Sequence, residues 1–288
     1  LTIGVSIRSL LIIKPGSFGD VIHALPCAAA LKKFLPETRI TWLVDSRWQA
    51  LLTDNPAIDA TVAFPRESFK GLAGAARFLP WARDLAPLRP ALALDLQGLF
   101  RSALMAKFSH AEHITGLADA REGATWFYHT VTPVHSAEHA VRRYLRSLDT
   151  LGLPRVETPE FPLPAGTLPP GLPTEKPFVL LHPYARGGGK SLSGKAIHAF
   201  CLAMAPIPVV VAGRGSQGGV LPENAINFLN RTDIPGLIGL IRAAAYVVSV
   251  DSGPMHIAAA IHPRLLSIHT WSDPRLVGPF NEKASVWQ

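Results

Sequence analysis

Short apolar runs rich in β-branched residues alternate with longer amphipathic stretches along almost the whole chain, and this alternation limits the fold more than any other feature. Strand-like runs fall at residues 10–13, 40–44, 60–64 and 92–96, and again at 178–181, 208–211, 246–250 and 265–268. Helical patterns separate them at 21–34, 48–52, 72–85, 137–151, 196–203, 235–244 and 255–261. Strand, helix, strand in that rhythm predicts βαβ units and parallel sheets, because only a crossover helix returns the chain to start a neighbouring parallel strand. The two series are divided by a proline-dense stretch at 153–177, where no helix is expected and an extended linker is. With 288 residues there is chain enough for two cores. The prediction is therefore an α/β protein of two Rossmann-like domains facing across a cleft. The first covers 1–165 and ends in the linker; the second covers 166–288. In such sheets ligands lie at the carboxyl ends of the strands.

Composition narrows the function classes. The formal net charge is +7, which suits an anionic partner: nucleic acid, an acidic membrane surface or a phosphorylated substrate. The basic residues are scattered, as at Arg66, Lys70, Arg101, Arg121, Arg142 and Arg143, so a discrete anionic substrate is expected and nucleic acid is not. Cys27 and Cys201 sit in apolar helical contexts, which argues against a disulfide framework or zinc site and fits a reducing cytoplasm. No apolar run is long enough to span a bilayer, and the opening residues lack the plan of a signal peptide. The sequence begins at Leu1 rather than Met, so its start is expected either to lack native residues or to carry added ones.

Five turns carry the polar residues that a ligand would meet. At 247–260 an apolar run stops at Asp251-Ser252-Gly253, followed by Pro254, His256 and a small-residue helix. A helix start of this kind offers N–H groups and a positive dipole end to a phosphate, although Asp251 or Ser252 can equally be an ordinary N-cap. At 14–23 a Pro-Gly-Ser-Phe-Gly turn leads to Asp20, which is either a general base or a first-turn acid that complements the helix dipole. At 182–191 a glycine-rich loop presents Arg186 and Lys190; it lacks the first glycine of a phosphate-binding P-loop, since Tyr184 stands there. Lys190 can neutralise a departing phosphate or simply be a solvated lysine. The loop after residue 94 places Asp95 and Gln97 at the same strand ends, as ligand contacts or as capping groups. Residues 213–218 formally match Gly-x-Gly-x-x-Gly, but deep in the second half and with Pro222 close behind, so a nicotinamide site is not expected. His23, His135 and His139 show no metal-ligand spacing, and Trp126-Phe127-Tyr128 is expected to pack in a core or face lipid.

Taken together these segments resemble glycosyltransferase family 9, the ADP-heptose:lipopolysaccharide heptosyltransferases, and in particular its heptosyltransferase I branch. The resemblance rests on KPGSFGDVIHALP (14–26), WLVD (42–45), ALDLQGLFRSAL (93–104), GLADARE (116–122), EHAVRRY (138–144), VVSVDSGPMHIAAA (247–260) and SDPRLVGPF (272–280). It implies a GT-B fold with the acceptor on the first domain and the nucleotide sugar on the second. It also implies inverting, metal-independent transfer to the 3-deoxy-manno-octulosonic acid of lipid A, with no cofactor, since the ADP-sugar is a substrate. On this resemblance Asp20 is the general base and Lys190 steadies the departing ADP. Ser17, Asp251, Ser252, Gly253 and His256 bind the donor, and Arg66, Lys70, Gln97 and Arg121 meet the acidic acceptor. The implied place is the cytoplasm, peripherally on the inner face of the inner membrane, with cleft closure excluding water.

The chain departs from the family pattern at the nucleotide end. Leu192 stands where the family has Trp, residues 213–218 contain no acid where the family has Glu, and the family methionine is replaced near Thr232. The sequence also stops at Gln288, before the family's usual final helix, so it is expected to be incomplete there. The alternatives are a family 9 enzyme with another sugar or a protein acceptor, a non-catalytic nucleotide-sugar-binding protein, and an NAD-dependent oxidoreductase.

Overall fold

Twelve strands and eight α-helices among the described residues divide between two units, residues 1–163 and 164–288. The computed structural model describes residues 7–172, 176–216, 219–270 and 272–288. The opening segment 1–6, residues 173–175 of the proline-dense stretch, and Gln217 and Gly218 of the glycine-rich stretch lie outside them.

In the first unit β1 (Ser9–Ile13) lies between β2 (Arg39–Asp45) and β4 (Leu92–Asp95). Outside these come β3 (Ala60–Phe64) on one side, then β5 (His113–Leu117) and β6 (Thr130–Thr132) on the other. Every pairing is parallel. Leu10 to Ile13 are almost wholly buried, as a central parallel strand covered on both faces requires. Helix α1 (Phe18–Phe34) follows β1, α2 (Gly71–Arg83) follows β3, α3 (Phe100–Phe108) follows β4, and α4 (Ala140–Thr150) packs along α1. Helix α1 begins at Ser17 and ends with Lys32 and Lys33 in its last turn, where positive charge suits the dipole. Pro26 sits inside α1, giving up the bond its nitrogen would otherwise donate to Ile22, yet the helix continues for two more turns.

The second unit repeats the plan. Strands β7 (Val179–His182), β8 (Val209–Gly213), β9 (Ala225–Leu229), β10 (Tyr246–Val250), β11 (Leu265–Ile268) and β12 (Ser285–Trp287) pair in the order β9-β8-β7-β10-β11-β12, again all parallel. The helices are α5 (Gly194–Ala203), α6 (Ile234–Ala243), α7 (Gly253–Ile261) and the short α8 (Pro274–Val277). Asp233 caps α6 by accepting from the Gly236 N–H at 2.8 Å, ahead of Pro235 in the first turn.

Each unit therefore has the strand order 3-2-1-4-5-6 in its own count. The order reverses between β1 and β4 in the first unit and between β7 and β10 in the second. At such a switch point the loops leaving the two central strands diverge to opposite faces and open a crevice, where Rossmann-type sheets bind ligands. The segment 48–52, read as helix, forms a 3-10 turn at Ser46–Leu51. Strands β5, β6, β9 and β12 and helices α3 and α8 extend the alternation beyond the sequence reading. The described part of the proline-dense stretch carries no helix, as expected, and it is anchored. Asn55 donates to the Pro162 carbonyl at 2.8 Å, Arg142 donates to that of Val156 at 2.7 Å, and the Thr167 N–H bonds Pro235 at 3.1 Å.

Candidate functional site

In the first unit the β1 and β4 loops are tied to each other across the switch point. The Gly16 N–H donates to Gln97 Oε1 at 3.1 Å, and Lys14 Nζ donates to the Leu96 carbonyl at 2.9 Å. Lys14 is buried, with its ammonium 4.7 Å from the centre of the Tyr144 ring on α4. Above it lies Asp20 in the first turn of α1. Its Oδ2 accepts from both the N–H (2.9 Å) and the hydroxyl (2.7 Å) of Ser17, and its Oδ1 from the Tyr144 hydroxyl at 3.3 Å. Burial favours the neutral acid, but the Lys14 charge, the two Ser17 bonds and the nearby His23 outweigh it. Asp20 is thus held ionised far below the usual carboxylate range. Burial lowers the pKa of Lys14, while Asp20 and Asp95 pull it back up.

Asp95, the other acid of this edge, is a capping group. It is fully buried and accepts from the N–H groups of Gln97 (2.9 Å) and Gly98 (3.0 Å) and the hydroxyls of Ser102 (2.8 Å) and Tyr128 (2.8 Å). Its pKa is raised by burial despite those four donors. Gln97 braces the same loops: its N–H bonds Asp95 while its side-chain oxygen accepts from the Gly16 turn.

The basic residues expected to meet an acidic acceptor are spread along the same carboxyl edge. Arg121 is exposed in the loop after β5, with its backbone N–H on the Gly98 carbonyl at 2.8 Å. Arg66 is exposed at the start of the 3-10 turn Arg66–Phe69 after β3, and Lys70 just beyond pairs with Glu67. Glu67 is also held by Arg47 at 2.9 Å, and Arg47 by Asp45 at 2.6 Å. The Arg47 guanidinium lies over Trp48, whose ring meets Phe18 edge-on at 5.0 Å. A continuous chain of contacts thus runs from the start of α1 to Lys70. Sequence reasoning gave no role to Arg47, Trp48 or Tyr144; each lies on a different element from Asp20, so no local spacing marks them.

In the second unit the expected donor residues converge on the β7–β10 switch point. Lys190 Nζ lies 2.8 Å from Asp251 Oδ2, with their side chains 17% and 12% exposed. The same oxygen accepts from the Ser272 hydroxyl at 2.7 Å, and Ser272 is bonded to His269 Nδ1 at 3.0 Å. Burial opposes ionisation of Asp251, yet the bonds from Lys190 and Ser272 and the Lys190 charge hold its pKa down. Next to it Ser252 precedes α7, and its hydroxyl reaches the Val250 carbonyl at 3.1 Å and His182 Nδ1 at 3.4 Å. Gly253 opens the helix and His256 is buried in its first turn. Pro254 has no N–H to offer and the Met255 N–H bonds the Ser252 carbonyl at 3.0 Å, so it is the positive dipole end of α7 together with the Lys190 ammonium that forms a positively polarised edge suited to a diphosphate. His182, at the end of β7, is pushed down to about 4 by burial and is neutral at pH 7.

Beside this edge Gly213 has φ +136°, and a Cβ there would lie 2.9 Å from His182 Nε2. Tyr184 donates to the Ser216 carbonyl at 2.9 Å, and Asn230 clasps Gly215 through two bonds of 3.2 and 2.8 Å. The described part of the glycine-rich stretch is therefore a braced loop at the end of β8. The structure gathers Ser17, Asp20 and Gln97 in the first unit, with Arg66, Lys70 and Arg121 outside them. It gathers Lys190, Asp251, Ser252, Gly253 and His256 in the second. Ser272 carries no chemical signal of its own in the sequence, and only the fold reveals its contact with Asp251. Among the described residues no group of His, Cys, Asp and Glu is arranged to hold a metal ion.

Comparison with known proteins identifies the family and the fold. The chain is 27% identical to lipopolysaccharide heptosyltransferase 1 of Pseudomonas aeruginosa, covering 94% of this chain and 81% of that one. It is 25% identical to the Escherichia coli K12 protein of the same name, covering 96% and 92%. Among solved structures, E. coli heptosyltransferase WaaC with ADP superposes with a TM-score of 0.79 at 21% identity, over 96% of this chain and 92% of that one. A family 9 glycosyltransferase from Veillonella parvula superposes at 0.82 with 18% identity, over 100% and 88%. The two Rossmann-like units thus form the GT-B fold expected from the sequence. The profile of glycosyltransferase family 9 (heptosyltransferase) matches residues 84–191 and 217–288, more than half of the chain and inclusive of Lys190, Asp251 and Ser272. By that match the chain belongs to glycosyltransferase family 9 and is a glycosyltransferase.

Proposed function

We propose that the protein transfers heptose from ADP-heptose, with inversion, to the 3-deoxy-manno-octulosonic acid of an acidic lipid A-type acceptor, as a step of lipopolysaccharide inner-core synthesis. The observation that carries the reading is the clamped, ionised Asp20 at the switch point of the first sheet. The Lys190–Asp251 edge in the second unit supplies the complementary donor site. The acceptor hydroxyl oxygen attacks the anomeric carbon, the bond from that carbon to the ADP oxygen breaks, and ADP leaves with the electron pair. Asp20 accepts the hydroxyl proton. A carboxylate this acidic is a weak base, so proton transfer accompanies C–O bond formation rather than preceding it. Lys190 and the first turn of α7 neutralise charge growing on the leaving diphosphate, as pre-placed donors do most effectively. In this scheme those groups do the work with no metal or cofactor, and Ser17 contributes by holding Asp20.

The names of the relatives support the donor and acceptor: one solved neighbour holds ADP, another an ADP-2-deoxy-2-fluoro heptose, and curated relatives are named lipopolysaccharide heptosyltransferases. Arg66, Lys70 and Arg121 provide positive charge for an acidic acceptor. No helix among the described residues is long and apolar enough to cross a membrane, and the proposed location is peripheral, on the cytoplasmic face of the inner membrane. The test is to incubate the protein with ADP- and UDP-sugars and a lipid A core acceptor and to read products by mass spectrometry. One added heptose from ADP-heptose is expected. Transfer of a different sugar, or transfer only to a protein, would overturn the donor or acceptor assignment.

A further inference from the structure

Trp126 exposes 84% of its surface, far more than a large aromatic side chain normally leaves to water. It is nevertheless held in place. It lies in the 3-10 turn Ala124–Phe127, its N–H bonds the Gly123 carbonyl at 3.1 Å, and its ring covers Gly123, where φ is +75° and a Cβ would sit 3.1 Å from the indole. Phe127 beside it meets Phe100, at the start of α3, edge-on at 5.5 Å, and Phe100 is itself 42% exposed. Arg101 follows on α3, 5.7 Å from the Phe78 ring of α2, next to the exposed Leu79. The exposed Arg101 directly follows Phe100, and the exposed Arg121 leads into the turn, its carbonyl accepting from the Ala124 N–H at 3.1 Å. Of the nearby acids, Asp119 is taken by Arg143 at 2.5 Å, leaving Glu122 as the exposed carboxylate of the turn.

We propose that this corner of the first unit, with Trp126 and Phe100 at its tip and Arg101 beside them, is the surface that seats the protein on an anionic lipid bilayer. Indole rings settle at the boundary between headgroups and acyl chains, and arginines around them meet anionic headgroups. The corner also continues the edge carrying the proposed acceptor contacts, because the Arg121 N–H is bonded to Gly98, one residue from Gln97 and two from Phe100. That continuity matters because the proposed acceptor is an acidic lipid. An acceptor anchored in a bilayer can present its sugar to Asp20 only if this edge approaches the membrane surface.

The test is co-sedimentation of the purified protein with phosphatidylcholine vesicles, with and without phosphatidylglycerol, in the absence of any sugar substrate. Binding is expected only with the anionic lipid. Trp126→Ala should lower the partition constant by about tenfold, the loss of an interfacial indole. Arg101→Gln should weaken binding and flatten its salt dependence. Trp287→Ala, which removes a 61% exposed indole in the second unit, should bind as wild type. Transfer to a detergent-dispersed acceptor should be unchanged in Trp126→Ala. Equal binding by Trp126→Ala and wild type, or equal binding to neutral vesicles, would overturn the proposal. So would a wild-type dimer that Trp126→Ala dissociates, since the corner would then be covered by a second copy. Vesicle binding without detectable sugar transfer would leave this surface standing and remove the transferase scheme.

Discussion

Replacing His182 gives a pH signature whose size follows from its burial. The side chain is 6% exposed at the end of β7, walled in by Gly213 and facing Ser252. Burial pushes its pKa from 6.5 down to about 4. Because the folded value lies below the unfolded one, the unfolded chain binds the extra proton between those two pH values. Folding stability tied to His182 is fully present above pH 6.5, falls as the pH drops, and stops falling below about pH 4. The full effect is about 3 kcal/mol, of which about 2 kcal/mol is already lost at pH 5. The assay is urea denaturation of wild type and His182→Gln at pH 7 and pH 5. Wild type should lose about 2 kcal/mol more than the variant over that interval, the titration of other groups being common to both. Equal losses in the two proteins would show that the ring is not held neutral by burial, and the packing described around β7 and Gly213 would be wrong.

Two further substitutions probe the two switch points. Lys190→Ala removes the cation bonded to Asp251 and should lower kcat by about 10² to 10³, the scale for losing one charge-stabilising donor; a change smaller than about threefold in steady-state ADP release would contradict its role. Asp95→Ala leaves the half-buried Tyr128 hydroxyl and the N–H groups of Gln97 and Gly98 without their acceptor, and Ser102 with only the Leu99 carbonyl, and should destabilise the first unit by about 3 kcal/mol in chemical denaturation, whereas a loss under about 1 kcal/mol would refute its capping role.

The parts of the fold legible in the sequence are those where burial imposes a pattern. Strands β1, β3, β10 and β11 are short apolar runs bounded by turn residues, and periodicity locates them within a residue. The edge strands β6 (Thr130–Thr132) and β12 (Ser285–Trp287) are three residues long and partly polar, and β5 contains His113, Thr115 and Gly116. Such strands are defined by their neighbours in the sheet, not by their own composition. Helix α3 begins directly behind the Asp95 turn, and its start looks like more of the same loop.

The site divides along the same line. Asp20 and the Asp251-Ser252-Gly253 turn announce themselves because a strand, a glycine turn and a helix start lie within a few residues. The groups that set their charge state do not. Lys14 is local, but Tyr144 reaches Asp20 from 124 residues away, and Ser272 reaches Asp251 from 21. The aromatic run at 126–128 shows how far composition goes. Its three residues take three fates: Tyr128 bonds the buried Asp95, Phe127 packs on Phe100, and Trp126 stands in solvent.

The central claim is that a clamped carboxylate in the first unit takes the proton while the second unit holds the donor. Asp20→Asn keeps the size of the side chain and removes its capacity to accept that proton. Transfer from ADP-heptose should fall by at least about 10³, while calorimetry shows ADP-sugar binding within about twofold of wild type. Transfer at the wild-type rate in Asp20→Asn would contradict the account.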